Sequence, residues 1–249
     1  MLNGEGKSTS GDWEFDVDNV VGMIPARIGS TRFRHKNLAL IGNKPVLQYA
    51  IEAALESQQY DRIVVNGDHP VFGVIADALG VEFYHRSEYL GGNNIKSDDV
   101  IIDFLGKFPC EVVVWHNAIT PLQQVEDLVE CIECFKKNRF DSMFTTVLEQ
   151  IHTRFHEKPL NFSESGKFEQ TQELKPVELF VPFLMMWRSK VFREQYQSTG
   201  DGFFCGETGY ANVSKLSSIA IKTEDDFRLC RSIVEGISSL ERDIEYYDF

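Results

Sequence analysis

Residues 21 to 51 carry five basic side chains, Arg27, Arg32, Arg34, Lys36 and Lys44, and no Asp or Glu. The chain as a whole is acidic, with a formal net charge of −13. A cationic island in an anionic chain suits a small polyanion such as a triphosphate. Backbone N–H groups of the Gly29-Ser30 turn and fixed side-chain cations would hold it. The island begins where a short apolar run, Val20-Val21-Gly22-Met23-Ile24, ends. Other chemistry-bearing sets are poorer. Gly6-Lys7-Ser8-Thr9 imitates the end of a phosphate loop, but the glycine required five residues earlier is Met1. Cys131-x-x-Cys134 lacks the second pair a zinc site wants, and reads as one face of a core helix. His152-x-x-x-His156 has helical ligand spacing without an acidic motif around it, and reads as a solvent-exposed or insertion-packing pair. Asp68-His69 follows another apolar run; either side chain would reach a ligand or serve the turn. No Gly-x-Ser-x-Gly elbow is present.

The elements that must position the island alternate. Strand-like runs cover 20–24, 62–65, 81–84, 111–115 and 142–147. Helical periodicity covers 46–57, 71–79, 98–108 and 125–137, with Gly80 closing the second helix. This rhythm predicts an α/β fold with a mostly parallel sheet and helices on both faces. Ligands in such sheets sit beyond the carboxyl ends of the strands, so the loops after Ile24, Val65 and Trp115 are the functional candidates. Residues 148–187 break the rhythm and read as a small insertion or arm. Phe180 to Trp187 is strongly apolar, and Ser218 to Ile221 reads as a short strand. Thr223-Glu224-Asp225-Asp226 opens a last helix with a capping pattern. Residues 1–18 read as a loose tail ahead of one domain, 19–249.

Composition sets limits. The chain has 249 residues, 43% apolar and 25% charged, ordinary values for a globular domain large enough to bury its own core. Its acidity argues against nucleic-acid or anionic-membrane binding. No run of 18 apolar residues or signal-like h-region occurs, and five cysteines suit a reducing cytoplasm. The 19 phenylalanines, dense between 140 and 204, suit either a packed core or a dimer interface.

Ile24-Pro25-Ala26-Arg27-x-Gly29-Ser30, then Lys36-Asn37, then Gly42-x-Lys44-Pro45, resembles the N-acylneuraminate cytidylyltransferase family. The similarity continues through Ala50 to Ala54 and Asp61 to Val65. The resemblance implies a Rossmann-like nucleotidyltransferase, homodimeric through its insertion. It implies transfer of CMP from CTP to an acidic sugar, with Mg²⁺ and release of pyrophosphate. Carried over, Arg27 and Lys36 are the catalytic phosphate ligands. Pro25, Ala26, Gly29, Ser30, Arg32, Asn37, Asn117 and Thr120 form the nucleotide site, with Ala26 and Asn37 at the cytidine end. Thr31 stands where the family often has lysine, leaving Arg32 as substitute.

Three departures qualify this. The family's Q-P-T-S-P-L-R reads Asn117-Ala118-Ile119-Thr120-Pro121-Leu122-Gln123. Its sugar-side N-G-A-I-Y reads Val181-Pro182-Phe183-Leu184-Met185, and an upstream Arg-Gln is Thr171-Gln172. The acceptor is therefore a sugar acid or a related anionic molecule rather than a sialic acid by default. Last, the two metal-holding aspartates of I-D-I-D-T-E-x-D-F are Ala220 and Lys222, so no residue is assigned to a metal and the Mg²⁺ requirement stays open. The alternative to a working transferase is an impaired relative that binds a nucleotide or acts as a scaffold.

Overall fold

The computed structural model describes residues 19–92 and 94–240; the predicted tail, 1–18, lies outside them. In chain order the strands are β1 Val20–Ala26, β2 Leu40–Ile41, β3 Lys44–Pro45, β4 Arg62–Gly67, β5 Glu82–His85 and β6 Val112–His116. They continue with β7 Ser142–Glu149, β8 Arg154–Phe155, β9 Lys158–Pro159, β10 Val177–Arg188 and β11 Thr208–Asn212. The helices are α1 Val46–Ser57, α2 Val71–Ala78, α3 Ser97–Lys107, α4 Val125–Asn138, α5 Ser189–Thr199, α6 Lys215–Ser218 and α7 Glu224–Leu240.

Seven strands form one sheet in the order β11-β7-β10-β6-β1-β4-β5. Only β10 runs against the others. The interior strand β1 is apolar along its length because helices cover both faces. On one side Val21, Met23, Val113 and Trp187 pack with Phe104 and Leu105 of α3 and Phe192 of α5. On the other, Ile24, Ala26 and Val65 meet Leu47 and Ile51 of α1 and Phe72 of α2. Val20, Val112 and Val114 join Leu128, Ile132 and Phe135 of α4. Each such fully buried side chain contributes roughly 1.5–3 kcal/mol. Sheet and helices together make the Rossmann-like α/β fold the periodicity predicts. No helix is long and apolar enough to cross a membrane among the described residues.

The chain proceeds β1, β4, β5 outward, then returns to place β6 on the other flank of β1. The order of travel therefore switches between β1 and β6, where a crevice is expected. The register opens it: β6 pairs with β1 only up to Met23↔Trp115, whereas β4 pairs on to Ala26↔Gly67. Pro25 sits past the end of the β6 ladder, where a strand tolerates the missing N–H.

One sequence expectation is corrected. Ser218 to Ile221 is not a strand. Ser214 caps the short helix α6 by accepting from Ser217 N–H, and beyond it a single bond, Ile221 N–H to Ile119 O (2.8 Å), takes the place of a ladder. His152 and His156 are the exposed or insertion-packed pair expected: His152 precedes the β8–β9 hairpin and stacks on Phe168, and His156 lies exposed in its turn, in the left-handed region at φ 51°. Asn161 fixes that loop, accepting from Thr153 N–H (2.9 Å) and donating to Ile151 O (2.9 Å) and Lys175 O (2.8 Å). Cys131 is buried on α4, within its core contact. Residues 150–176 lie between β7 and β10, outside the central sheet. Phe144, Phe183 and Phe192 are fully buried, while Phe155, Phe168, Phe180 and Phe204 are exposed.

Candidate functional site

A cleft of about 320 Å³ opens at the carboxyl ends of β1, β5 and β6. That volume falls within the range of small-ligand sites, roughly 300–1,000 Å³. One wall is the cationic island, through Pro25, Ala26, Arg27, Ser30, Arg32, Lys36 and Asn37. The floor is Trp115, Asn117 and Ile119, and the far wall runs from Arg86 through Gly91 and Lys96 to Ser97 at the start of α3. Arg27, Arg32, Lys36, Arg86 and Lys96 make five cationic side chains, and among the described residues no Asp or Glu lines the cleft.

Each wall is fixed by specific bonds. Beyond β1, Ile28 N–H donates to Asp68 Oδ1 (2.8 Å). The loop then turns through His35 at φ 52° into a 3-10 turn, Lys36–Leu38. Asn37 is buried and donates through Nδ2 to Arg27 O (3.3 Å). Lys36 Nζ donates to Ile221 O (2.8 Å), binding the island to the segment before α7. Burial, with Arg27 and Arg32 alongside, lowers the Lys36 ammonium to about 8, against the opposing pull of Asp226.

Arg86 follows β5 and is 4% exposed. It donates to Asn66 O, to Ala26 O (2.9 Å) and to Asn66 Oδ1 (3.3 Å), and lies 4.0 Å from Asp68 Oδ2. Asp68 thus pins both walls, one oxygen to each. Gly91 is required against it: a Cβ there would fall 2.2 Å from Asp68 Oδ2. Asn117 N–H donates to Phe183 O on β10 (3.0 Å), and its Oδ1 accepts from Ile119 N–H (3.4 Å). Beneath the floor, His116 takes Gln123 on one ring nitrogen and Tyr60 on the other (3.2 Å). Burial holds its pKa down at about 4, so the ring is neutral.

Of the predicted site residues, Pro25, Ala26, Arg27, Ser30, Arg32, Lys36, Asn37 and Asn117 come together on this cleft. Gly29 and Thr120 do not line it. Gly29 lies in the loop with open space where a side chain would start. Thr120 is fully buried, and its hydroxyl donates to Asn117 O (3.2 Å), which shapes the floor from behind. Asp68 serves as the pin just described, and exposed His69 accepts from Val71 N–H (3.2 Å) at the start of α2. The Val181 to Met185 run is in β10 beside β6, and Val181, Phe183 and Leu184 are buried. Arg86, Lys96 and Trp115 escape the sequence reading. Arg86, like Arg27, directly follows a parallel strand, a position that carries meaning only with the strand order in hand. Unpartnered buried polar atoms also gather here. Asn37 Oδ1, Arg86 Nε and Trp115 Nε1 are three of five among the described residues, and all three residues line the cleft. In a folded protein such atoms are ordinarily paired, so a ligand, an ion or ordered water has bonds to make here.

Comparison with known proteins supplies ancestry. The cytidylyltransferase family pattern matches residues 21–174. An N-acylneuraminate cytidylyltransferase of Escherichia coli O18:K1:H7 is 38% identical over 118 residues, 47% of this chain and 28% of that protein. A 3-deoxy-manno-octulosonate cytidylyltransferase of Bdellovibrio bacteriovorus is 34% identical over 103 residues, covering 41% of this chain and 40% of that one. The post-translational flagellin modification protein B of Campylobacter coli is 22% identical over 245 residues, 94% of this chain and all of that protein. The chain spans 28%, 32% and 51% of the length of three N-acylneuraminate cytidylyltransferases it matches. Among solved structures, a CMP:2-keto-3-deoxy-manno-octonic acid synthetase complexed with CTP superposes with a TM-score of 0.64 at 15% identity. It covers 88% of this chain and 100% of that one. A 4-diphosphocytidyl-2C-methyl-D-erythritol synthase from Anaerococcus prevotii gives 0.63 at 13%, with the same coverage. At such identities the likeness is one of fold.

Proposed function

The chain belongs to the cytidylyltransferase family, and from that premise we propose that it transfers CMP from CTP to a sugar acid or a related anionic acceptor. The observation that carries this reading is the acid-free cleft at the β1–β6 switch, with five cations around it. In the proposed reaction an acceptor oxygen attacks the α-phosphorus in line. The bond from that phosphorus to the bridging oxygen breaks, and pyrophosphate leaves. Arg27 and Lys36 neutralise charge accumulating on the leaving group. Ser30 approaches the phosphates through the main chain, and Arg32 adds charge at the rim. Pro25, Ala26, Asn37 and Asn117 bound the nucleoside end, with Thr120 supporting Asn117 from below. Arg86 and Lys96 face the island from the opposite wall.

Mg²⁺, which the family resemblance implies, would lend positive charge to the phosphates. The side chains at its two positions, Ala220 and Lys222, offer no carboxylate, so the donor set does not fit and no step is routed through the ion. That substitution favours a second reading, nucleotide binding without turnover. The five cysteines are free thiols, consistent with a cytoplasmic setting. Exposed Phe180, Phe204 and Tyr210, grouped around Phe144, support self-association of the chain.

A pyrophosphate-release assay tests the proposal, with CTP, UTP, ATP and GTP each against a panel of sugar acids. Release from CTP with one acceptor class supports the transferase. Tight CTP binding with no release from any acceptor moves the assignment to the second reading.

A further inference from the structure

The missing carboxylates have a structural counterpart. The backbone of the Ala220–Lys222 segment borders the cleft: Ile221 O accepts from Lys36 Nζ (2.8 Å), and Ile221 N–H donates to Ile119 O (2.8 Å). Lys36 and Ile119 both line the cleft. Two acidic side chains near it are committed elsewhere. One Asp226 oxygen accepts from Lys222 N–H (2.8 Å), Thr223 N–H (2.7 Å) and Thr223 Oγ1 (2.9 Å), as the cap of α7. Asp68 is held between Ile28 and Arg86. Among the described residues, no three His, Cys, Asp or Glu side chains are gathered to hold a metal by themselves.

We propose that the cleft binds its polyphosphate as the metal-free anion, with Arg27, Arg32, Lys36, Arg86 and Lys96 supplying the charge that Mg²⁺ supplies elsewhere. The inference rests on the anion-binding part of the function proposed above, not on the cytosine base or the acceptor. A free triphosphate carries two more negative charges than its magnesium complex. Fixed cations in a partly buried cleft therefore favour the free form. Magnesium and the protein compete for the same phosphate oxygens. Lys222, with its positive charge close enough to oppose that of Lys36, makes the neighbourhood still less hospitable to a divalent cation.

The test is a calorimetric titration of the whole chain with inorganic tripolyphosphate and, separately, with CTP. Each is run in EDTA and again with Mg²⁺ at ten times its dissociation constant from that ligand. Binding is expected in EDTA. Magnesium then leaves about one-eleventh of the ligand free, so the apparent Kd rises about tenfold. An apparent Kd weakened about tenfold by magnesium supports the proposal, and an unchanged Kd, which would mean that the magnesium complex binds equally well, overturns it. A Kd tightened by magnesium overturns it, as does failure of tripolyphosphate to bind in EDTA. Arg32→Gln, at an exposed position, locates the anion: a loss of about fivefold or more in EDTA is expected, and an unchanged affinity also overturns the proposal. If tripolyphosphate behaves as described while CTP binds no tighter than UTP or ATP, the cytidylyl reading fails and the metal-free site stands.

Discussion

Replacing Arg86 with methionine should separate the site's architecture from its charge. The arginine is 4% exposed and its ionic partner Asp68 is 6% exposed, so solvent screens little of their interaction. Arg86 closes bonds to Asn66 O and Ala26 O and neutralises a carboxylate whose other oxygen holds the backbone of Ile28. Methionine fills similar space but leaves Asp68 charged and those carbonyls without their donor. Removing one partner of a buried, hydrogen-bonded pair costs about 3–5 kcal/mol. For a chain of this size each kcal/mol moves the melting temperature by about 2–4 °C, so the expected drop is roughly 6–20 °C. Arg32→Met is the control. It sits at an exposed position on the same cleft and should change stability by no more than about 0.5 kcal/mol. Urea unfolding of both ligand-free variants, followed by far-ultraviolet circular dichroism, measures the contrast. Both should lose nucleotide affinity, but only Arg86→Met should lose stability. An Arg86→Met protein within about 1 kcal/mol of wild type would refute the idea that this pair ties the two walls together.

Lys36 should make anion binding depend on pH. Burial and the neighbouring arginines bring its ammonium to about 8, and a bound polyphosphate favours the charged form. Affinity should therefore fall as pH rises through 8, by up to about tenfold per unit, with proton uptake visible in buffer-dependent heats. Lys36→Gln should flatten that slope, and a flat wild-type profile would contradict the assignment. Gly91→Ala should destabilise the far wall by about 1–3 kcal/mol through its clash with Asp68, whereas Gly29→Ala, in open space, should be neutral in thermal unfolding. His116, held down to about 4 by burial, should make stability fall as pH drops from 6.5 toward 4. Over that window the unfolded chain takes up a proton that the folded one refuses, a loss on the order of 3 kcal/mol. Urea midpoints at pH 7, 5 and 4 measure this, and an equal slope in His116→Gln would contradict it.

Much of the scaffold was legible because its signals are local. The helical period over 46–57 coincides with α1, and the β-branched runs at 62–65 and 111–115 lie within or one residue from β4 and β6. Thr223 and Asp226 exchange the bonds their spacing predicts. The island wall was legible too, since consecutive residues carry it. The opposite wall was not, because it depends on which strand lies next to which. Arg86 becomes informative only once β5 is known to be the edge strand whose carboxyl end points the same way as that of β1. The misread 218–221 segment shows the converse. Its β-branched residues looked like a strand, but Ser214 caps the start of a short helix that takes in Ser218, and beyond it Ile221 N–H bonds only to Ile119 O. The reading of His152 and His156 as an exposed or insertion-packed pair held because no acidic partner accompanies them: His152 stacks on Phe168 and His156 is exposed.

A crystal structure of the protein grown with CTP in EDTA tests the central claim most directly. The account predicts the triphosphate between the two walls, with Arg27 and Lys36 on one side of the phosphates and Arg86 and Lys96 on the other. Phosphates bound away from this cleft, with Arg27 and Lys36 facing solvent, would contradict it.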